Sequence, residues 1–218
     1  MTKRVVTVWH IGAWNRNFGD WALAYQMHRL LNEQAALRDL HLDFYLVDGQ
    51  LTHFHSRLVD QMCEEADLVI LGGGGCLFHR PEDRSRSGWM FNISLEDLDR
   101  ITPPIVVYSI GYNRFPYDPN EFPPITAVHL SHLQERAALF SARNTGTRTV
   151  MVEKFGLRPE TIEVVPDPGI HLFDRPVDVP SRRHGAPVIA VNLAGDRPSF
   201  RYPAPAEDNQ HLFFGVIK

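Results

Sequence analysis

The stretch ADLVILGGGG, at residues 66–75, decides the fold of this chain. An acidic residue is followed by four apolar residues and then by four glycines. A short apolar run that ends in a glycine loop is typical of a strand buried on both faces, as the strands of parallel sheets are. We therefore predict a strand over Ala66–Leu71 and a glycine turn over Gly72–Gly75.

The same arrangement recurs on either side of this stretch. Arg4–Ile11 is rich in β-branched residues and runs into a polar loop, Gly12–Gly19, and Ile105–Ile110 ends at Gly111. The other predicted strands are Leu42–Val47, Leu139–Arg143, Thr161–Val165 and Val188–Leu193. The predicted helices are one that follows an N-cap at Asp20, then Ser56–Glu65, Thr126–Arg136 and Thr147–Phe155, with Gly156 as the last helix's stop.

This alternation of strands and helices predicts an α/β fold with a doubly wound, mostly parallel sheet of the Rossmann-like type. In such sheets ligands bind beyond the carboxyl ends of the strands. Because the glycine-rich loops follow strands, we expect them at the ligand-binding edge of the sheet.

Composition limits the function classes. The chain has 218 residues, with 22 Lys and Arg against 26 Asp and Glu and a net charge of −4. That balance lacks the electrostatic footprint of a duplex-binding protein, so we expect no nucleic-acid partner. No 18-residue apolar run occurs, so we predict no integral membrane segment. Cys63 and Cys76 are too far apart for a CxxC pair, and we expect a cytoplasmic protein.

The chain divides where its composition changes. Prolines and a basic cluster at residues 174–187 are typical of an interdomain linker. We therefore predict an N-terminal Rossmann-like domain over residues 1–173 and the start of a second α/β domain over residues 188–218. The last residues of the chain include Phe213, Phe214, Val216 and Ile217, and apolar residues at an unfinished helix lead us to expect a homo-oligomer.

The glycine tract is a candidate ligand-binding element. Gly72, Gly73, Gly74 and Gly75 allow close approach of a ligand to the main chain, whose N–H groups can hold an anion. The tract is neither GxGxxG nor GxxxxGK[ST], so neither a dinucleotide site nor a phosphate loop with its lysine is predicted. The alternative is that these glycines only serve a tight turn.

Further candidates lie at the other predicted strand ends. Arg143 can hold a carboxylate or phosphate with two N–H groups, unless it pairs with an internal carboxylate such as Asp167. Asp20 is best explained as a helix cap, whereas Asn15 and Asn17 are candidates for ligand contact. The remaining candidates are Gly19, Gly111 and His79. The pairs His53/His55 and His129/His132 lack a third ligand, so no metal is expected.

Taken together, these residues resemble the polysaccharide pyruvyl transferase family. Asn15–Leu23 is similar to its Asn-x-Gly-Asp-x-Ala-Leu type signature, and Ala66–Gly74 to its apolar strand and glycine turn. Ser109–Gly111, Ser141–Arg143 with Thr147, and Pro166–Pro168 resemble three further elements in the same order. The chain departs from the family at Asn144, where Asp is usual, and at Thr147, which replaces Ser.

The resemblance implies two domains similar to those of GT-B glycosyltransferases, with the reaction in the cleft between them. It implies a transferase that moves the pyruvyl group of phosphoenolpyruvate to a sugar of a polysaccharide or glycoconjugate, forming a pyruvate ketal, with no cofactor beyond the donor substrate. Arg143 is then the candidate cation, and the general acid and base are unassigned. Since the family's second half supplies much of the donor site, we expect the 218-residue chain alone to be inactive.

Two other functions remain open at this point. One is a GT-B-like glycosyltransferase that uses a nucleotide sugar, with the glycine turns facing the acceptor. The other is a non-catalytic binding or assembly module.

Overall fold

The computed structural model describes residues 3–14, 18–79, 86–173 and 201. The chain forms two compact units, one of Met1–Asn113 with Phe122–Leu172 and one of Arg114–Glu121 with Phe173–Lys218. In the second unit the Arg201 guanidinium lies 4.3 Å from the centre of the Phe115 ring. The predicted linker, nearly all of the predicted second domain, and Asn15 and Asn17 lie outside the described residues.

The described part of the first unit is built on one six-stranded sheet in which every pair of neighbouring strands is parallel. The strands are β1 Arg4–Gly12, β2 Leu40–Asp48, β3 Leu68–Leu77, β4 Ile105–Tyr112, β5 Ala137–Ala142 and β6 Glu163–Val164, in the order β2-β1-β3-β4-β5-β6. This sheet confirms the predicted α/β fold class. The direction of winding reverses between β1 and β3, the position at which such sheets form a crevice for ligands.

Five α-helices connect the strands in the described residues. They are α1 Phe18–Ala36, α2 Ser56–Glu65, α3 Leu95–Arg100, α4 Pro124–Arg136 and α5 Thr145–Phe155. Short 3-10 turns cover Pro159–Thr161 and Pro168–Phe173. The α2 boundaries and the left-handed stop at Gly156, with φ of 70°, are as predicted. None of the described helices has the length and apolar character needed to span a membrane.

Three helices begin earlier than predicted. The α4 helix begins at Pro124 and the α5 helix at Thr145, each two residues before the predicted start. The α1 helix begins at Phe18, so Asp20 lies inside its first turn and is not the N-cap. For α1 the physical reason is that an acidic residue is favoured both at the N-cap and in the first turn of a helix. As an N-cap it accepts from main-chain N–H groups, and in the first turn its charge interacts favourably with the helix dipole.

The predicted glycine turn is also wrong as a boundary, because β3 continues through all four glycines to Leu77. Their main chain pairs with β4, with Gly72 opposite Tyr108 and Gly74 opposite Ile110. The φ angles of Gly72 and Gly73 are 130° and 81°, so the strand bends there without leaving the sheet. A side chain at residue 72 would overlap the Tyr108 carbonyl oxygen.

The centre of the sheet, in β1, β3 and β4, is buried on both faces. One face joins Trp9, Ile11, Leu71 and Val107 to the larger core, and the opposite face packs Val8 and Ile70 on Met27 of α1. This double burial explains the unbroken apolar runs in β1, β3 and β4. It leaves the carboxyl ends of these strands as the edge where polar groups collect.

Candidate functional site

Arg143 leaves β5 at its carboxyl end, and its side chain crosses the end of β4. Its main-chain N–H donates to the Ile110 carbonyl at 3.0 Å, which fixes the start of the side chain. The guanidinium lies where a Cβ of residue 111 would be, so a side chain at this position would force Arg143 to move, and the φ angle of Gly111 does not itself favour glycine. Two predicted site residues, Gly111 and Arg143, are thus in direct contact.

Arg143 also faces an internal carboxylate, as the alternative interpretation predicted. Its Nη1 lies 4.0 Å from Oδ2 of Asp167, and both side chains are 29% exposed. The other oxygen of Asp167, Oδ1, accepts from the Gly169 N–H at 2.9 Å. A pair this long and this exposed contributes little to stability, so an incoming anion competes with Asp167 for the guanidinium at low cost.

Asp20 lies beside the glycine tract at the same edge. A Cβ built on Gly74 would lie 3.7 Å from Oδ1 of Asp20. Burial raises the pKa of Asp20, the negative charges of Asp167 and Asp48 raise it further, and Arg143 opposes them. Asp20 therefore retains its proton to a higher pH than an ordinary aspartate.

The other glycines of the tract have different neighbours. Gly73 packs near Met27 and His10, and the Asn113 amide donates to the Gly75 carbonyl at 3.3 Å. Gly19 lies in the exposed first turn of α1. The tract thus has a structural part and a part at the candidate site. Gly72 permits close packing against β4, and Gly74 lies next to Asp20.

Behind the tract lies a buried histidine pair. His10 Nδ1 and His28 Nε2 are 2.7 Å apart, and His10 Nε2 lies 3.0 Å from the Gly72 carbonyl oxygen. The carbonyl only accepts, so in the neutral pair His10 Nε2–H donates to Gly72 and His28 Nε2–H donates to His10. Burial lowers the pKa of His10 to about 3 and that of His28 to about 4, so both rings are neutral near pH 7.

His79, the predicted histidine of the site, makes its described contacts elsewhere. Its Nδ1 lies 3.1 Å from the Gly88 carbonyl oxygen, and its ring lies 6.0 Å from that of Phe122. The described residues therefore do not bring His79 into contact with Asp20 or Arg143.

The histidine pairs with ligand-like spacing have structural partners. His55 caps α2, and His53 lies 2.7 Å from the Asn92 amide. Trp89 donates to buried His129 at 3.0 Å, and His132 lies 2.7 Å from Asp99. Within the described residues no group of three or more His, Cys, Asp or Glu side chains is arranged to hold a metal.

Two features of this edge escaped the sequence analysis. Ser109 is fully buried with a φ of 48°, a conformation that nothing in its sequence context indicates. The contact between His10 and His28 was not predicted, because the two residues are 18 positions apart in sequence. By contrast, Asp167 was predicted as a possible partner of Arg143, although the composition of its own segment suggested only a turn.

Neither the protein-family models nor the curated proteins include a match to this sequence. Among solved structures, the chain is similar to the crystal structure of Anabaena HepE in complex with UDP, with 12% sequence identity and a TM-score of 0.40. The match covers 74% of this chain and 44% of the HepE chain, so the chain spans less than half of that protein.

Proposed function

We propose that this chain carries part of the active site of a transferase that moves the pyruvyl group of phosphoenolpyruvate to two hydroxyls of one sugar. The proposal rests on the resemblance stated above. One juxtaposition supports it: a cation, Arg143, and a carboxyl of raised pKa, Asp20, lie at one sheet edge beside Gly74 and Gly111.

In this proposal Arg143 binds the donor. Its guanidinium offers two parallel N–H groups that match either the carboxylate or the phosphate of phosphoenolpyruvate. The packing of its stem against Gly111 restricts its motion, so less entropy is lost when the anion binds. Asp167, 4.0 Å away, is the group that the donor displaces.

Asp20 is the proposed general acid. The reaction requires a proton on the methylene carbon of the donor, which makes the adjoining carbon electrophilic. The first sugar hydroxyl then bonds to that carbon and returns its proton to Asp20. The second hydroxyl displaces phosphate, which leaves with the bonding electron pair and the second proton. The raised pKa of Asp20 suits the first step, because an acid must be protonated at the working pH.

The experiment is a titration of the 218-residue chain with phosphoenolpyruvate, inorganic phosphate and UDP-sugars, so that donor binding is the readout. Saturable phosphoenolpyruvate binding that Arg143→Lys weakens supports the proposal. Binding of UDP-sugars in preference to phosphoenolpyruvate contradicts it and favours a glycosyltransferase. Binding of neither donor contradicts it and favours a non-catalytic module.

A further inference from the structure

The ends of β3 and β4 bend at the same level. The pairing of Gly72 with Tyr108 and of Gly74 with Ile110 sets Gly73 opposite Ser109. Both residues have positive φ angles, 81° for Gly73 and 48° for Ser109. Glycine adopts this conformation at no steric cost, whereas serine adopts it only with strain.

The bend is absorbed between β4 and β5. Val107 pairs with Phe140 and Ile110 pairs with Ala142, so three steps along β4 match two steps along β5. This is a β-bulge with one extra residue on β4. It offsets an opposite irregularity earlier in the ladder, where Ile105 pairs with Ala137 and Val106 with Leu139, which leaves one extra residue on β5. Past the bulge, Ile110 and Ala142 are therefore back in the register of Ile105 and Ala137.

The hydroxyl of Ser141 closes the gap that the bulge leaves in the ladder. Its Oγ accepts from the Ser109 N–H at 2.8 Å and donates to the Val107 carbonyl at 3.0 Å. Regular pairing then resumes with the Arg143 N–H on Ile110. Both serines are fully buried, and the Ser109 hydroxyl has no hydrogen-bond partner among the described residues.

Ser109 thus combines two unfavourable features at one residue, a left-handed main chain and an unpaired buried hydroxyl. Two residues further on, Gly111 lies against the guanidinium of Arg143. If β4 lacked this extra residue, the irregularity on β5 would stay uncorrected and Gly111 would be out of phase with Arg143. We propose that Ser109 is a positioning residue, whose bulge, held by Ser141, places Gly111 beneath Arg143 and so fixes the guanidinium for an anionic ligand. This inference rests on the proposed function only in taking the ligand to be an anion.

The test compares Ser109→Gly with Ser109→Val in the full 218-residue chain, with inorganic phosphate and phosphoenolpyruvate as probes. Glycine keeps the left-handed conformation, so the affinity of Ser109→Gly for the probes should stay within about twofold of the wild-type affinity. Valine is β-branched and strongly disfavours that conformation, so its affinity should fall by about tenfold. Equal affinity of the valine variant and wild type would overturn the proposal.

A double-mutant cycle separates positioning from a general loss of structure. If Ser109 acts through Arg143, then Ser109→Val should cause no further loss of affinity in an Arg143→Ala background. If the affinity losses caused by Ser109→Val and Arg143→Ala instead multiply in the double variant, the proposal is overturned. Should Ser109→Val fail to fold, Ser141→Ala removes the bridging hydroxyl instead and should weaken binding of the probes. Ser141→Thr keeps a hydroxyl at this position and should bind them as wild type does.

A ligand-free measurement distinguishes failure of this inference from failure of the proposed function. Arg143 lowers the pKa of Asp20, so displacement of the guanidinium should raise it. NMR titration of Asp20 should show the same upward shift in Ser109→Val and in Arg143→Ala, with no further shift in the double variant. If wild type binds neither probe, the proposed function fails, while this shift still supports the positioning role of Ser109. An unchanged Asp20 pKa in Ser109→Val overturns that role.

Discussion

His28 donates through Nε2 to Nδ1 of His10 across 2.7 Å, joining α1 to β1 through two neutral imidazoles. Burial is the main cause of the lowered pKa of each ring, and for His10 the neighbouring imidazole adds to it. The folded state therefore binds protons less readily than the unfolded state, in which histidine titrates near 6.5. Stability from this pair is fully present above pH 6.5 and is lost as the pH falls toward 4 and 3.

The first prediction is a steep loss of stability in mild acid. Each neutral imidazole should add about 1.4 kcal/mol per pH unit to the pH dependence of the unfolding free energy, between pH 6.5 and its folded pKa. Urea unfolding at pH 7.0, 6.0, 5.0 and 4.5 measures this slope. His28→Gln keeps a donor for His10 and removes one titrating group, so its slope should be shallower. Identical slopes in the two proteins would contradict the prediction, since the carboxylates are common to both.

The second prediction concerns Arg143→Lys. Lysine keeps the charge and loses the two-pronged donor and the flat packing on Gly111, so phosphoenolpyruvate binding should weaken by about 1–3 kcal/mol. Arg148→Lys is the matched control, because Arg148 lies on α5 and donates to the Pro159 carbonyl. Calorimetric titration measures both affinities, and thermal unfolding checks that both variants are folded. An unaltered affinity in Arg143→Lys would show that the guanidinium is not a ligand.

The third prediction separates two glycines of β3. A Cβ at residue 72 would overlap the Tyr108 carbonyl, and φ is 130°, so Gly72→Ala should cost roughly 2–4 kcal/mol of stability. Among the residues that the structure describes, a Cβ at Gly74 meets Leu23 at 3.6 Å and Asp20 at 3.7 Å, which are ordinary contacts. Both Gly74→Ala and Gly74→Val should therefore fold. The larger valine side chain should abolish anion binding. Denaturant unfolding and phosphate titration give the two readouts, and retained binding in Gly74→Val would be evidence against a ligand at this position.

The fourth prediction is a pH effect on turnover through Asp20. If Asp20 supplies the proton, activity should fall as the pH rises above its raised pKa, and Asp20→Asn should lower kcat by about 100-fold or more. Asp43→Asn, an exposed position on β2, is the control. The assay measures phosphate release from phosphoenolpyruvate in an enzyme preparation that has measurable transferase activity. Full activity in Asp20→Asn would require a different acid.

Local signals account for what was predictable from sequence. The α2 helix has a strong apolar face, and both of its ends were predicted correctly. Gly156 ends α5 because it adopts a left-handed conformation, which is a local property of glycine. The glycine tract was placed at the correct strand but taken for a turn, because glycine's local freedom says nothing of its pairing with β4. The short α3 helix, Leu95–Arg100, was not predicted, since six residues carry too little periodicity.

The candidate site was predictable to a smaller extent. Strand ends could be read from apolar runs, so Arg143, Gly111 and the Asp167 alternative were found at the correct edge of the sheet. The contact between the Gly111 main chain and Arg143, and the strained Ser109, depend on a one-residue mismatch between two strands. Such a mismatch leaves no periodic signal in either strand alone.

The bulge at Ser109 also governs how this chain tolerates insertions and deletions. The two irregularities between β4 and β5 cancel over Ile105–Ile110, since Ile105 pairs with Ala137 and Ile110 pairs with Ala142. An insertion or deletion in only one of these strands would therefore shift every later side chain of that strand against its neighbour. Segments exchanged between this chain and another of the same fold need junctions before Ile105 or after Tyr112. An alignment that allows for only one of the two irregularities would assign the neighbour of Arg143 to the wrong position.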